Sequence, residues 1–240
     1  MEPWGERSAE LYELVFAEDD HEAQVTYVNG VIEDRAPLAR SLLDVACGTG
    51  RHLELFAHRY PHVEGIDLSP AMLSRARERV PHIPLHQADM RAFEIGRMFD
   101  AVTCLSSSIV WMPDADALHE AIGTMARHIR PGGVLVLEPW PEPGQDSDVK
   151  APWTTVVEAS GRTIALMETT RLEHMTWIQE THYLIAEGDR IAHEFERTEF
   201  PAFRRVDLRA AFDRTGLETT YDPEGPLGRG LWVGLKPDRT

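Results

Sequence analysis

The stretch Leu42–His52, LLDVACGTGRH, sets an apolar run directly against a turn that holds two glycines, and its reading decides the fold. Leu42, Leu43 and Val45 have the apolar density of a short strand in a parallel sheet covered by helices. Glycines right after such a strand can take positive φ and let a ligand approach the backbone at the strand's carboxyl end. Three ligands compete for such a turn: a phosphate, a dinucleotide, or a small nucleoside with no phosphate. A phosphate loop needs G-x-x-x-x-G-K-[ST], and no Lys-Ser or Lys-Thr follows these glycines. The dinucleotide fingerprint wants a third small residue at position 53, which is Leu53. What remains is Asp44-x-Ala46-x-Gly48-x-Gly50.

Working outward, Asp67 ends a second apolar run, VEGID at 63–67. It follows Gly48 by roughly 20 residues, the spacing at which a carboxylate reaches a ribose diol. Asp89, in QADM, follows a third strand at 84–87, and further strands are predicted at 99–105 and 134–138. Between them Leu53, Phe56, Ala57 and Tyr60, then Met72, Leu73, Ala76 and Val80, repeat at helical spacing. Ser69 and Pro70 form a cap and a preset first turn, and a helix over 114–129 stops at Pro131-Gly132-Gly133. Near the start, SAELYELVF carries the helical stripe Leu11, Leu14 and Val15.

Beyond Trp140 the texture changes. Pro139, Pro141, Pro143, Gly144 and Pro152 make a stiff connector, and strand-like segments follow at 154–158, 162–172, 175–185 and 190–200, with turns at Gly161 and Glu187-Gly188-Asp189. A helix at 206–215 and strands at 217–222 and 230–235 return to the first sheet. The predicted fold is α/β: a Rossmann-like, mostly parallel seven-stranded sheet with helices on both faces, plus an inserted antiparallel β-sheet. The main domain is expected at 1–140 and 201–240, the insertion at 141–200.

The chain of 240 residues has 40 acidic and 24 basic residues and a formal charge of −16, a balance that repels nucleic acid and anionic lipid. The N-terminus lacks a basic start and an apolar core, and no run of about 18 apolar residues occurs, so a cytoplasmic address and no membrane contact are expected. Two cysteines, Cys47 and Cys104, are too few for a disulfide framework or a zinc cluster and read as reduced thiols. No metal site is expected; His58 and His62 have helical spacing, but Pro61 breaks the geometry two helical ligands need.

LLDVACGTG, GIDLSPAML, QADM, FDAVTC and the RPGG turn before VLVLE resemble, in this order, the motifs of class I S-adenosylmethionine-dependent methyltransferases. The resemblance covers roughly residues 35–140. It implies S-adenosyl-L-methionine as cofactor, with Gly48 and Gly50 against its methionine part, Asp67 on the ribose hydroxyls and Asp89 and Met90 flanking the adenine. Asp44, Ala46, Leu68 and Leu105 complete the expected cofactor set. EPW after the fifth strand, the inserted sheet and GPLGRGLWVG further resemble the N-methyltransferases of nucleotide-linked amino sugars in macrolide biosynthesis. The residues that carry this are Glu138, Pro139, Trp140, Gly225, Pro226, Gly228, Arg229 and Gly230.

Methyl transfer to nitrogen is an in-line displacement, so positioning an unprotonated nucleophile matters more than strong acid–base chemistry. Tyr12 on the N-terminal helix, Glu138 at the end of a buried strand and His182 on the insertion are the expected catalytic residues. His174 and His193 compete with His182, which is favoured by Trp177, Tyr183 and Ile185 near it on one long strand. Trp111, Trp140 and Arg229 are expected to bind the acceptor, Arg229 as an anion or carbonyl clamp. Residues 16–27, FAEDDHEAQVTY, are acidic, and Trp111 offers a wide ring, so an N- or O-methyltransferase of a flat heteroaromatic intermediate is the alternative. A non-catalytic cofactor-binding module and a dehydrogenase are the other classes considered. The insertion's edge strands need covering, from which a homodimer is expected.

Overall fold

The computed structural model of the chain describes residues 4–16, 20–144 and 152–238. In chain order its elements are α1 (Glu6–Val15), α2 (His21–Arg35), β1 (Ser41–Val45), α3 (Arg51–Ala57), β2 (His62–Asp67), α4 (Pro70–Arg79), β3 (Leu85–Gln87), β4 (Phe99–Cys104), α5 (Ala115–Arg127), β5 (Ile129–Leu137), β6 (Trp153–Ala159), β7 (Arg162–Glu173), β8 (Thr176–Glu187), β9 (Arg190–Pro201), α6 (Arg205–Asp213), β10 (Glu218–Asp222) and β11 (Leu231–Leu235). They make a seven-stranded sheet, ordered β10-β11-β5-β4-β1-β2-β3, and a four-stranded one, β6-β7-β8-β9.

The chain divides into two compact units, one of residues 20–142 with 203–240, the other of 1–19 with 143–202. In the first unit β1 pairs in parallel with β2 and β4, β2 with β3, and β4 with β5, while β10 and β11 close the far edge antiparallel. Alternation sends side chains to two cores. Leu43, Val45, Val102, Leu135 and Leu137 pack with Leu118, Ile122 and Met125 of α5 and Phe212 of α6. Leu42, Val63, Ala101, Val134 and Val136 pack with Val28 and Ile32 of α2 and Leu53 and Phe56 of α3. The order reverses between β1 and β4, and at such a switch point the carboxyl ends of the strands open into a crevice.

The structure differs from the sequence reading in three places. No element was predicted over 21–35, where α2 forms: Asp20 caps it through the Ala23 N–H, and Val25, Val28 and Ile32 give it a buried face. The helix predicted over 114–129 ends at Arg127, and Pro131-Gly132-Gly133 lies inside β5 instead of stopping the helix. Residues 1–16 were assigned to the main domain; the described part, 4–16, belongs with the inserted sheet, because the stripe on α1 buries Leu11 and Val15 against Ile164, Leu166, Tyr183 and Ile185. Arg7 of α1 adds an ion pair with Glu194 (2.7 Å), and Glu10 one with Arg162 (2.7 Å). Among the described residues no helix is long and apolar enough to cross a membrane.

Candidate functional site

After Val45 the chain turns through Ala46 (φ 59°), Gly48 (φ 55°) and Gly50 (φ 82°) into α3. The Cys47 N–H donates to the Ile66 carbonyl (2.9 Å) and the Gly50 N–H to the Cys47 carbonyl (3.0 Å), which ties the turn to β2. The two glycines do different work. A Cβ on Gly50 would stand 3.2 Å from the Ala76 Cβ of α4, so this position is closed by a helix. A Cβ on Gly48 would meet nothing within 4 Å. Gly48 is therefore the open side of the turn.

Asp67 ends β2 beside it. Its Oδ2 accepts the Gly48 N–H (2.8 Å) and its Oδ1 the Ser69 N–H (2.8 Å), so the backbone on both sides fixes the carboxylate. Burial raises the Asp67 pKa, while the N–H groups of Ser69, Gly48 and Leu68 pull it back. Leu68, next along, is an apolar side chain left 64% exposed beside the turn. Beneath the turn, Asp44 is buried and its Oδ1 accepts the Thr103 hydroxyl (2.7 Å); burial pushes its carboxyl up to about 7. Asp89 behaves otherwise: the Arg91 guanidinium grips both its oxygens (Nε at 3.0 Å, Nη2 at 2.5 Å) and holds it below the usual carboxylate range. Met90 is half-buried against the first core. Leu105, expected to touch the cofactor, is buried in the second core, because β4 carries its alternation one residue past Cys104.

At the carboxyl ends of β4 and β5 a second arrangement forms. Ser106 (φ 50°) and Ser107 (φ 58°) are both left-handed, and the Ser106 N–H donates to Glu138 Oε2 (2.8 Å). The Ser107 hydroxyl donates to the Pro139 carbonyl (2.7 Å) and the Glu138 N–H to the Cys104 carbonyl (2.9 Å). Glu138 is 1% exposed, and burial raises its pKa against the pull of Arg229 and the Ser106 N–H. Its Oε1 is buried without a hydrogen bond, 3.8 Å from Nη1 of Arg229. Arg229, between Gly228 and Gly230, also lies over the Trp140 ring, 5.6 Å from its centroid. The structure thus brings Glu138, Trp140 and Arg229 together. It gives Glu138 the geometry of a latch, since neither oxygen stands open to a ligand. Trp111 closes a single 3-10 turn, Ser108–Trp111, and is half-buried.

In the other unit, Tyr12 packs edge-on to Trp4 (6.1 Å between centroids) and tilted on Phe16 (4.8 Å), which stacks on Trp153 (5.6 Å). His182 is exposed and stacks on His193, with 3.0 Å between Nδ1 and Nε2. The neighbours that favoured it do not share its face: Trp177, Tyr183 and Ile185 are buried on the opposite side, as odd and even positions of a strand must be. Thr103, Arg91 and Ser106 escaped the sequence reading. The signal for the last was there, three serines directly after a buried strand.

The methyltransferase domain family matches residues 42–133. Over 95% of this chain and 97% of the relative, it is 38% identical to a dTDP-3-amino-3,4,6-trideoxy-alpha-D-glucopyranose N,N-dimethyltransferase of Streptomyces venezuelae. It is 41% identical to a dTDP-3-amino-3,6-dideoxy-alpha-D-glucopyranose N,N-dimethyltransferase of Streptomyces fradiae, over 95% of this chain and 90% of the relative. Among solved structures, CalS10, a SAM-bound amino pentose methyltransferase from Micromonospora echinaspora involved in calicheamicin biosynthesis, superimposes with a TM-score of 0.85 at 37% identity, covering 92% of this chain and 93% of that one. These matches run past the glycine turn and through the inserted sheet, and by them the chain belongs to the S-adenosylmethionine-dependent methyltransferases, among the N-methyltransferases of nucleotide-linked amino sugars.

Proposed function

We propose that the chain places two methyl groups on the amine of a nucleotide-linked amino sugar in the biosynthesis of a natural product. The observation that carries this reading is the end-to-end match to two N,N-dimethyltransferases of 3-amino sugars, insertion included. The turn fits S-adenosylmethionine on its own geometry: an open Gly48, a carboxylate locked in place beside it, and an exposed Leu68 to cover a flat base. In this reading Asp67 takes the ribose hydroxyls, Leu68 and Met90 cover the adenine, and Asp89, held by Arg91, lies at its edge. Ala46 and Gly48 line the methionine part, while Asp44 and Gly50 support the turn from below and behind.

When bound, S-adenosylmethionine supplies a methyl carbon whose bond to sulfur breaks as the amine's lone pair bonds to it. The protein's part is to bind the amine deprotonated and to aim its lone pair. Trp111, Trp140 and Arg229, all in the first unit, are proposed to bind the acceptor. Glu138 acts through the backbone it holds, and His182, engaged with His193, is left outside the reaction. A cytoplasmic dimer completes the reading, and its mass in solution is open to sedimentation.

The test incubates purified protein with S-adenosylmethionine and a panel of nucleotide-linked 3- and 4-amino sugars, free amines and flat heterocycles, read by mass spectrometry. An amino sugar that gains one and then two methyl groups is the expected result. Methylated heterocycles with untouched sugars would overturn it in favour of the flat acceptor.

A further inference from the structure

The turn after β4 is built at a conformational cost. Cys104, Leu105 and Ser107 are buried, and Ser106 alone among them is exposed. Two successive non-glycine residues in the left-handed region are uncommon, and each costs free energy that its surroundings must offset. The surroundings are explicit: Glu138 takes the Ser106 N–H, the Pro139 carbonyl takes the Ser107 hydroxyl, and the Leu105 carbonyl takes both the N–H (3.1 Å) and the hydroxyl (2.9 Å) of Ser108. Among the described residues these bonds use the N–H of Ser106 and involve neither its hydroxyl nor its carbonyl oxygen, and the residue is exposed. β4 lies next to β1, so Ser106 stands at the switch point of the sheet.

We infer that Ser106 holds the amine being methylated, its outward oxygens accepting an N–H of that amine while Glu138 and Pro139 hold the turn that presents them. The inference rests on the function proposed above and adds a residue to it. An oxygen that holds one N–H fixes where the nitrogen's lone pair points. Each transfer leaves an ammonium that gives up one proton to water; once neutral, the primary amine offers two N–H groups, the monomethylated amine one, and the dimethylated amine none. The hold therefore survives the first transfer and lapses after the second, which gives this chain a reason to stop at two methyl groups.

Ser106→Gly and Ser106→Ala separate this from a structural role. Glycine relieves the left-handed strain, so its variant should melt higher by about 2–4 °C, whereas alanine keeps the strain and loses only the hydroxyl. For Ser106→Gly, calorimetry should give S-adenosylmethionine binding within about twofold of wild type, while kcat for the second transfer falls about 10-fold or more and monomethylated sugar accumulates. Ser106→Ala should show an intermediate rate with no gain in melting temperature. A wild-type ratio of mono- to dimethylated product in Ser106→Gly overturns the inference, as does a loss of cofactor affinity in step with the rate. Wild-type protein that methylates no amino sugar would instead overturn the proposed function, and this inference with it.

Discussion

Replacing Gly48 and Gly50 one at a time by alanine separates binding from stability within a single turn. Both glycines have positive φ, 55° and 82°, so alanine at either carries left-handed strain of about 1–2 kcal/mol. There the resemblance ends. At Gly50 the new methyl would sit 3.2 Å from the Ala76 Cβ, tighter than side-chain contacts normally run, and 3.4 Å from both the Ala76 Cα and Val80 Cγ2. Overpacking of this kind adds about 1–3 kcal/mol, so Gly50→Ala should lose roughly 2–5 kcal/mol in all. At Gly48 the methyl enters open space, and the stability loss stops at about 1–2 kcal/mol. That space is where the methionine part is proposed to lie, so Gly48→Ala should weaken S-adenosylmethionine binding by about 10-fold or more, the size of one displaced good contact. Urea unfolding gives the first quantity and titration calorimetry the second. Wild-type cofactor affinity in Gly48→Ala would refute the placement of the ligand, and equal stability losses would refute the division of labour between the two glycines.

Other outcomes follow from the same geometry. Asp67→Ala should cost about 10-fold or more in cofactor affinity, one to a few charge-assisted hydrogen bonds; unchanged affinity would remove the carboxylate from the site. Asp44, raised from 3.8 to about 7, stabilises the fold most below pH 4 and loses that contribution as the pH rises through 7. Asp44→Asn lacks this dependence, so its stability relative to wild type should rise by about 2–3 kcal/mol between pH 5 and pH 8.5, and a flat difference in denaturant midpoints would contradict the burial argument. His52, pushed down to about 3 by burial beside Gln24, has the opposite sign: its contribution is full above pH 6.5 and is lost as the pH falls through 3. His52→Gln should then flatten the acid limb of the stability curve. Cys47 and Cys104 are buried and burial raises both thiols, so a thiol reagent should label them only as fast as the protein unfolds; a rapid native phase would show an open path to one of them.

Each expectation that held rested on a local pattern. An apolar strand, a glycine pair and an acid roughly 20 residues later announce a covered parallel sheet. Alternation along 154–200 announces an antiparallel sheet. α2 went unpredicted because its buried face interleaves Val25, Val28 and Ile32 with the polar Gln24 and Asn29, which weakens the apolar stripe. The neighbours that favour His182 in the sequence lie on the strand's other face, because adjacent positions point to opposite faces.

The sequence by itself determined the sheet, its glycine turn and the acids at its edge, since these follow from periodicity and short spacing, while the methyltransferase family rests on the resemblance of its ordered motifs. Only the tertiary structure decided what each residue does. Gly50 is closed by Ala76, 26 positions away, and Gly48 is not. Ser106 is held in a left-handed turn by a carboxylate 32 positions along, and α1 packs on a sheet whose strands begin well over a hundred residues later. Such pairings leave no periodic trace, because chain folding, and not any local preference, brings their members within contact distance.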